Sequence, residues 1–498
     1  MAKKIRYYNL IAFVGGMSIM AIEMTAVRIM SPYFGSSIFI WTNILGVIMV
    51  ALALGYYYGG KLADKYPRPQ VFYFIVLMAS VIVLALPFIA TPLLEYLSSV
   101  TGSSPAAWVT LSLLGSLALF FVPFALLGMI SPYLIRLVNR EVEETGRVAG
   151  RIFAVSTFGS IVGTFLPTLV TVPLLGVQRT IVIFGAALCV IAAIGLNRRV
   201  ITVMLIILTG LGIAFAPLMM ADKNVIAYSD SPYSYIEIRK YLNYTVLSFS
   251  KTRAVQSMQP ESGYLTGGFY VDYYSVLPAF ACPSRECDIG VIGVAGGTIP
   301  RLLDHYYAEK KDLAIDGIEL DPAVTRLAKK YFDYSIPTLT THHQDGRIYL
   351  RHTDKIYNLI VLDAFQEVEI PPHLSSREFF QIAKDHLATD GIMAINIMTS
   401  GSQNSQYQRF LSTLQEDFAQ VWDIGLNRSS NHLVLASNTD EPLTDRLAAA
   451  EIDNELSNLR SYIYQNMVRP DPIHATLITD DRPLTQILYD TMLYQSEI

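Results

Sequence analysis

Between residues 8 and 219 the chain runs through seven apolar stretches, near 8–30, 38–58, 70–91, 108–134, 152–174, 180–197 and 200–219. A bilayer core of about 30 Å needs about 20 helical residues to cross it, and each stretch is of that order. A wholly soluble enzyme cannot be built this way. Hydrophobic residues make up 52% of the chain and charged residues only 16%, against roughly 25% charged in ordinary soluble proteins. That balance also excludes a disordered chain and a basic nucleic-acid-binding tail. The charge is unevenly divided. Residues 1–221 carry a formal net of +8 and the remainder −13, so a membrane half is followed by an acidic globular half.

The first stretch is too long, and wrongly flanked, for a cleaved signal peptide, and reads as a retained span. Basic residues orient the spans. Lys3, Lys4 and Arg6 precede the first, and Lys61, Lys65 and Arg68 follow the second. Arg136, Arg140, Arg147 and Arg151 flank the connection after the fourth, and Arg198 and Arg199 follow the sixth. The pattern places the N-terminus in the cytoplasm of a multi-pass protein of the cell (inner) membrane. Pro123, Gly159, Gly163 and Pro167 inside spans signal close packing or kinks. The loop from Gly59 to Arg68, with Gly60, Lys61, Asp64 and Lys65 inside it, resembles the cytoplasmic loop after the second helix of major facilitator transporters.

Beyond about Asp222 the periodicity changes. Residues 235–239 and 244–249 alternate as strands of a small antiparallel sheet. An α/β pattern follows: strands at 289–293, 313–319, 338–342, 357–362 and 391–397, with helices from Ile299 and from Asp321-Pro322 to Phe332. The fold class is therefore an α-helical polytopic membrane domain followed by an α/β domain. The latter combines a small antiparallel sheet with a doubly wound, Rossmann-type methyltransferase-like sheet. The expected domains are 1–221, 222–288 and 289–498.

Small residues from Gly293 to Gly297 let the backbone approach a ligand at the carboxyl end of the first strand. Glu319, closing the second strand, is placed to accept hydrogen bonds from ribose hydroxyls. Asp345, with Gly346 after the third strand, is placed to accept one from an adenine amino group. The loop lacks the Lys-Ser/Thr ending of a phosphate-cradling ATPase loop and the spacing of a nicotinamide fingerprint. An S-adenosyl ligand suits it better. No metal site is expected, because the eight histidines show no ligand spacing. Cys282 and Cys287 read first as two unpaired thiols near a strand; a local disulfide would require an oxidising compartment, and the sequence leaves their redox state open.

Five segments together resemble the spermidine synthase family of polyamine aminopropyltransferases. They are Val291–Gly297, Gly317–Pro322, Gln344-Asp345-Gly346, Leu359–Asp363 and Glu378-Phe379-Phe380. Glu23, Arg28 and Gly35-Ser36-Ser37 are similar to the membrane-embedded branch of that family, as is the late segment from Thr479 to Pro483. The resemblance implies decarboxylated S-adenosylmethionine (or S-adenosylmethionine) as co-substrate, with no permanently bound cofactor. It implies a putrescine-like amine as acceptor, spermidine and methylthioadenosine as products, and a possible homodimer. Nucleic acid is not an implied partner; a lipid bilayer is. By the same resemblance Asp363 deprotonates the amine, and Gly293, Gly297, Glu319, Asp345 and Gly346 hold the nucleoside. Gln256, Tyr270, Asp272 and Gln366 contact the amine. Three family signatures are altered. The Gly-Gly-Gly-Asp-Gly loop reads Gly293-Val294-Ala295-Gly296-Gly297, Asp-Ser-Ser-Asp reads Asp363-Ala364-Phe365-Gln366, and Tyr-His-Glu reads Tyr270-Val271-Asp272.

Two other functions fit the same residues: an S-adenosylmethionine-dependent methyltransferase, and a non-catalytic polyamine- or nucleoside-binding transport or sensing protein. Seven spans from a cytoplasmic N-terminus put the acidic half outside the cytoplasm. A cytosolic co-substrate argues for the opposite face, and the sequence leaves the face open.

Overall fold

A computed structural model describes residues 2–35, 38–100, 105–139, 145–196, 210, 223–249, 255–365, 370–399, 404–426 and 430–482. The chain divides into two compact units. One is essentially residues 1–223 with the short segments 229–235 and 250–252, and the other comprises the rest.

The first unit is helical: α1 (Ala2–Phe34), α2 (Ile38–Lys65), α3 (Pro69–Ser99), α4 (Pro105–Gly128), α5 (Ile130–Val138), α6 (Thr145–Leu166), α7 (Val172–Leu175) and α8 (Val177–Gly195). Among the described residues these form six stretches long and apolar enough to cross a membrane, from Ile5–Phe34 to Val177–Gly195. The seventh expected span, 200–219, lies outside the described residues apart from Gly210. Small residues let α1 and α6 touch backbone to backbone. A Cβ on Gly159 would lie 2.0 Å from the Phe13 carbonyl oxygen, and one on Gly163 2.1 Å from that of Met17. Pro167, which cannot donate to the helical ladder, opens a π-turn (Pro167–Thr171) between α6 and α7.

The second unit begins with an antiparallel sheet, β1 (Val225–Asp230), β2 (Tyr235–Lys240), β3 (Tyr244–Ser248) and β4 (Val255–Pro260). A 3₁₀ helix, Tyr270–Val276, and the short α9 (Pro278–Ala281) lead into the larger sheet. Its parallel part is β5 (Glu286–Ile292), β6 (Asp312–Ile318), β7 (Leu339–His342), β8 (Tyr357–Leu362) and β9 (Leu387–Met398). Three antiparallel strands extend it: β10 (Gln420–Gly425), β11 (Asn431–Ser437) and β12 (Met467–Val468). The order is β12-β10-β11-β9-β8-β5-β6-β7. The helices are α10 (Thr298–Tyr307), α11 (Pro322–Tyr331), α12 (Gly346–His352), α13 (Arg377–Asp385), α14 (Ser405–Asp417), α15 (Leu443–Ala449) and α16 (Ser457–Asn466).

Strand alternation builds a core on each face of this sheet. Ile289, Val291, Leu359 and Val361 pack on one side with Tyr270 and Tyr274, while Ile292, Ile360 and Leu362 pack on the other with Phe379 and Phe410. Asp321 caps α11 by accepting the Ala323 N–H at 2.8 Å, with Pro322 at the first helical position. One expectation is corrected. Cys282 and Cys287, both fully buried, are joined in a disulfide with their Cα atoms 5.4 Å apart. The short link from α9 to β5 turns back tightly enough to face the two sulfurs toward each other.

Candidate active site

The order in which successive strands are laid down reverses between β5 and β8, which are neighbours although β6 and β7 intervene in sequence. Ligands of doubly wound folds bind at the carboxyl ends of strands beside such a switch. Here that point brings the glycine loop against Asp363. The Asp363 N–H donates to the Ile292 carbonyl at 2.9 Å, and Gly293 turns away at φ 93°. A Cβ on Gly293 would lie 2.4 Å from the Asp363 carbonyl oxygen, so no side chain fits between the two segments. Gly297 caps α10 at φ 82°, and Ala295 holds a left-handed φ of 47°.

Each oxygen of the Asp363 carboxylate is held by one neutral donor. Asn396 Nδ2, from β9, donates to Oδ1 at 2.8 Å, and the Tyr270 hydroxyl, from the 3₁₀ helix, donates to Oδ2 at 3.0 Å. Burial outweighs both hydrogen bonds and pushes the carboxyl up to about 7. Burial and the neighbouring carboxylate drive Tyr270 and Tyr274 well above the ordinary tyrosine range, so both stay neutral donors. An acid of this pKa exchanges protons readily near neutrality, as a general base requires.

Glu319 is buried, and each of its oxygens already accepts a backbone N–H at 3.0 Å: Oε1 from Asp321 and Oε2 from Ala295. These bonds aim the carboxylate at the glycine loop and leave lone pairs for ribose hydroxyls. Desolvation raises its pKa despite the two donors. Asp345 caps α12, accepting the Arg347 and Ile348 N–H groups on Oδ1 at 3.0 Å each. Its Oδ2 lies 2.7 Å from His373 Nε2, and this contact, ahead of the caps, lowers the Asp345 pKa. Gly346 serves packing, since a Cβ there would lie 2.4 Å from Ile292 Cγ2.

The amine-contacting set divides. Tyr270 donates to Asp363, and Gln256 lies on β4 next to Ser257, whose hydroxyl accepts the Gly296 N–H at 2.8 Å. Gln366 lies outside the described residues. Asp272 is bonded to the turn before it. Its Oδ1 accepts the Thr266 N–H and hydroxyl at 2.8 and 2.9 Å, and its Oδ2 accepts the Gly268 N–H at 2.8 Å. Only 1% exposed, it organises the glycine-rich turn.

Sequence reasoning passed over Asn396, Asn431, Ser257, His373 and Arg347. Asn396 carried a signal, because it is the single polar side chain in the buried run Ile392–Ile397 and so demanded a partner. Arg347, buried on α12, donates through both Nη atoms to the Asp480 carboxylate at 2.7 Å, and Ser376 Oγ donates to the same carboxylate at 2.7 Å. The pairing lowers Asp480 to about 2. Arg347→Ala should cost about 1–3 kcal/mol, a bidentate charged bond discounted for the half-exposure of Asp480. A depressed carboxylate stabilises above its unfolded pKa and loses that contribution as pH falls toward 2. The thermal midpoints of wild type and Arg347→Ala should therefore differ at pH 7 and converge in strong acid.

Residues 276–422 match the model of the spermine/spermidine synthase domain. A probable polyamine aminopropyl transferase of Bifidobacterium longum is 28% identical over 290 residues, covering 54% of this chain and 63% of that protein. The polyamine aminopropyltransferase of Vibrio vulnificus is 26% identical over 229 residues, or 45% of this chain and 74% of that one. Among solved structures, a probable spermidine synthase from Corynebacterium glutamicum aligns at 19% identity and a TM-score of 0.39, covering 50% of this chain and 98% of that chain. The spermidine synthase of Thermotoga maritima aligns at 17% and 0.37, covering 54% and 84%. The second unit is thus similar to the spermine/spermidine synthase domain over residues 276–422, and the chain spans under two thirds of the Bifidobacterium relative.

Proposed function

We propose that the chain is a membrane-integrated aminopropyltransferase, moving the aminopropyl group of decarboxylated S-adenosylmethionine to putrescine or a related amine. The observation that carries this reading is the Asp363 carboxyl, held by Tyr270 and Asn396 beside the glycine loop with a pKa near neutrality. An ammonium has no lone pair, so its proton passes to Asp363 first. The freed amine nitrogen then bonds to the aminopropyl carbon next to the sulfonium. The carbon–sulfur bond breaks, its electron pair stays on sulfur, and methylthioadenosine leaves. Glu319 holds the ribose and Asp345 the adenine, so that alignment supplies much of the rate. Six apolar helices and the basic N-terminal residues support an inner-membrane location with a cytoplasmic N-terminus, and family likeness supports a homodimer.

Full-length protein in detergent, given putrescine and decarboxylated S-adenosylmethionine, should yield spermidine and methylthioadenosine. A parallel reaction with S-adenosylmethionine, followed for S-adenosylhomocysteine, tests the methyltransferase alternative, which the replacement of an aspartate by Gln366 favours. Glu319→Gln should weaken methylthioadenosine binding about tenfold or more by calorimetry, because the amide has one acceptor oxygen where two N–H groups and a ribose need it. Unchanged binding would remove Glu319 from the nucleoside site.

A further inference from the structure

Behind Asp363 stands a second amide. Asn396 donates through Nδ2 to Asp363 Oδ1, and its own Oδ1 accepts from Asn431 Nδ2, on the neighbouring strand β11, at 2.8 Å. Both asparagines are buried, at 3% and 6% exposure, on strands that otherwise carry mostly apolar side chains here. An amide can present either end to a neighbour, and the two ends have opposite effects on a carboxylate. The N–H end stabilises the anion; the carbonyl end repels it and favours the protonated acid, which can donate back. Nothing about Asn396 alone selects the end. Asn431 does, by offering a donor that only the Asn396 carbonyl can accept.

We propose that Asn431 is a positioning residue for the reaction. It never reaches the substrate, but locks the Asn396 amide so that its N–H end faces Asp363 and keeps that carboxylate available as the proton acceptor. This deepens the transferase reading and rests on it. Among the described residues, the titratable groups facing Asp363 are Tyr270, which donates to its other oxygen, and Tyr274, both on the 3₁₀ helix. β9 presents Asn396 and β11 presents Asn431, neither of which titrates. His432, the next residue, engages Asp423 and Tyr407 instead. With both tyrosines neutral, the orientation of one amide is the adjustable electrostatic element at the carboxylate.

The test compares full-length wild type with Asn431→Asp and Asn431→Leu in detergent. The pH profile of kcat for methylthioadenosine formation would be measured alongside the titration of Asp363, followed by 13C-aspartate resonances assigned with Asp363→Asn. Asn431→Asp replaces the donor with an acceptor, so the Asn396 amide turns its N–H end toward position 431. The acid limb of the profile should then move up by about one pH unit or more, a tenfold loss of rate below the limb. Asn431→Leu releases the amide without adding charge and should move the limb less, in the same direction. KM for the nucleoside should hold within about twofold in both, since Asn431 does not touch that site. A purely structural role would lower thermal stability and leave the limb in place. Two folded variants with the wild-type limb and the wild-type Asp363 titration would overturn the proposal. If wild type makes no methylthioadenosine, the transferase reading fails on its own, and the Asp363 titration alone decides whether Asn431 sets the amide.

Discussion

Asp363→Asn should abolish methylthioadenosine formation and, at the same time, make the protein more stable above neutral pH. The two effects share a cause. Asparagine keeps the shape and still accepts a hydrogen bond, but takes no proton from an ammonium, so turnover should fall about 10²–10⁴-fold. A carboxyl raised from its ordinary range to about 7 is costly to ionise in the folded state. With a raised folded pKa, stability is fully present below the unfolded value near 4 and is lost as pH rises through 7. The neutral amide escapes that loss. Moving a pKa by one pH unit is worth roughly 1.4 kcal/mol, so the thermal midpoint of Asp363→Asn should exceed that of wild type by several degrees at pH 8. The gap should shrink steadily below pH 7 and close near pH 4. A variant that is inactive but no more stable at pH 8 would mean that Asp363 ionises without cost, contrary to its burial. Wild-type kcat/KM should show its acid limb near pH 7.

Gly293→Ala should be about as damaging through geometry alone. The added methyl meets backbone on every side: the Asp363 carbonyl oxygen at 2.4 Å, its carbon at 2.6 Å and the Ala364 Cα at 2.8 Å. None of these is the loose end of a side chain. The φ of 93° adds conformational strain that any L-residue would meet. A loss of about 3–5 kcal/mol is expected, with methylthioadenosine binding by calorimetry abolished, because β5 and the segment after β8 must separate to admit the methyl. Gly290→Ala is the internal control. A Cβ there would lie 3.6 Å from the Tyr357 ring, an ordinary contact, and should be tolerated within about 1 kcal/mol. Equal effects at 290 and 293 would show that the strand, not the turn, is sensitive.

The parallel sheet was legible because buried strands leave a plain trace. Leu359–Leu362 is an unbroken apolar run stopped by an acid, Asp363, which Tyr270 and Asn396 hold. The positions of Glu319 and Asp345 just after β6 and β7 could be read in the same way, from where the strands end. What escaped depends on distant partners. The 3₁₀ helix at Tyr270–Val276 has no hydrophobic period of its own, so the turn 4–6 residues earlier that bonds the Asp272 carboxylate could not be foreseen. Asn431 sits at the start of β11, and its meaning comes wholly from the strand beside it. The cysteine pair depended on how sharply a short link bends, which composition does not report.

The large sheet stops at a strand of two residues on one side, β12, and of four on the other, β7. Unpaired edge backbone is what lets one molecule template strand addition by the next. Among the described residues the border strands β7 and β12 offer little ladder, so they are poorly suited to seed cross-molecular β growth. Association between copies through the second unit must then use side-chain surfaces, or the four-stranded sheet, whose border strands β1 and β4 are each six residues long.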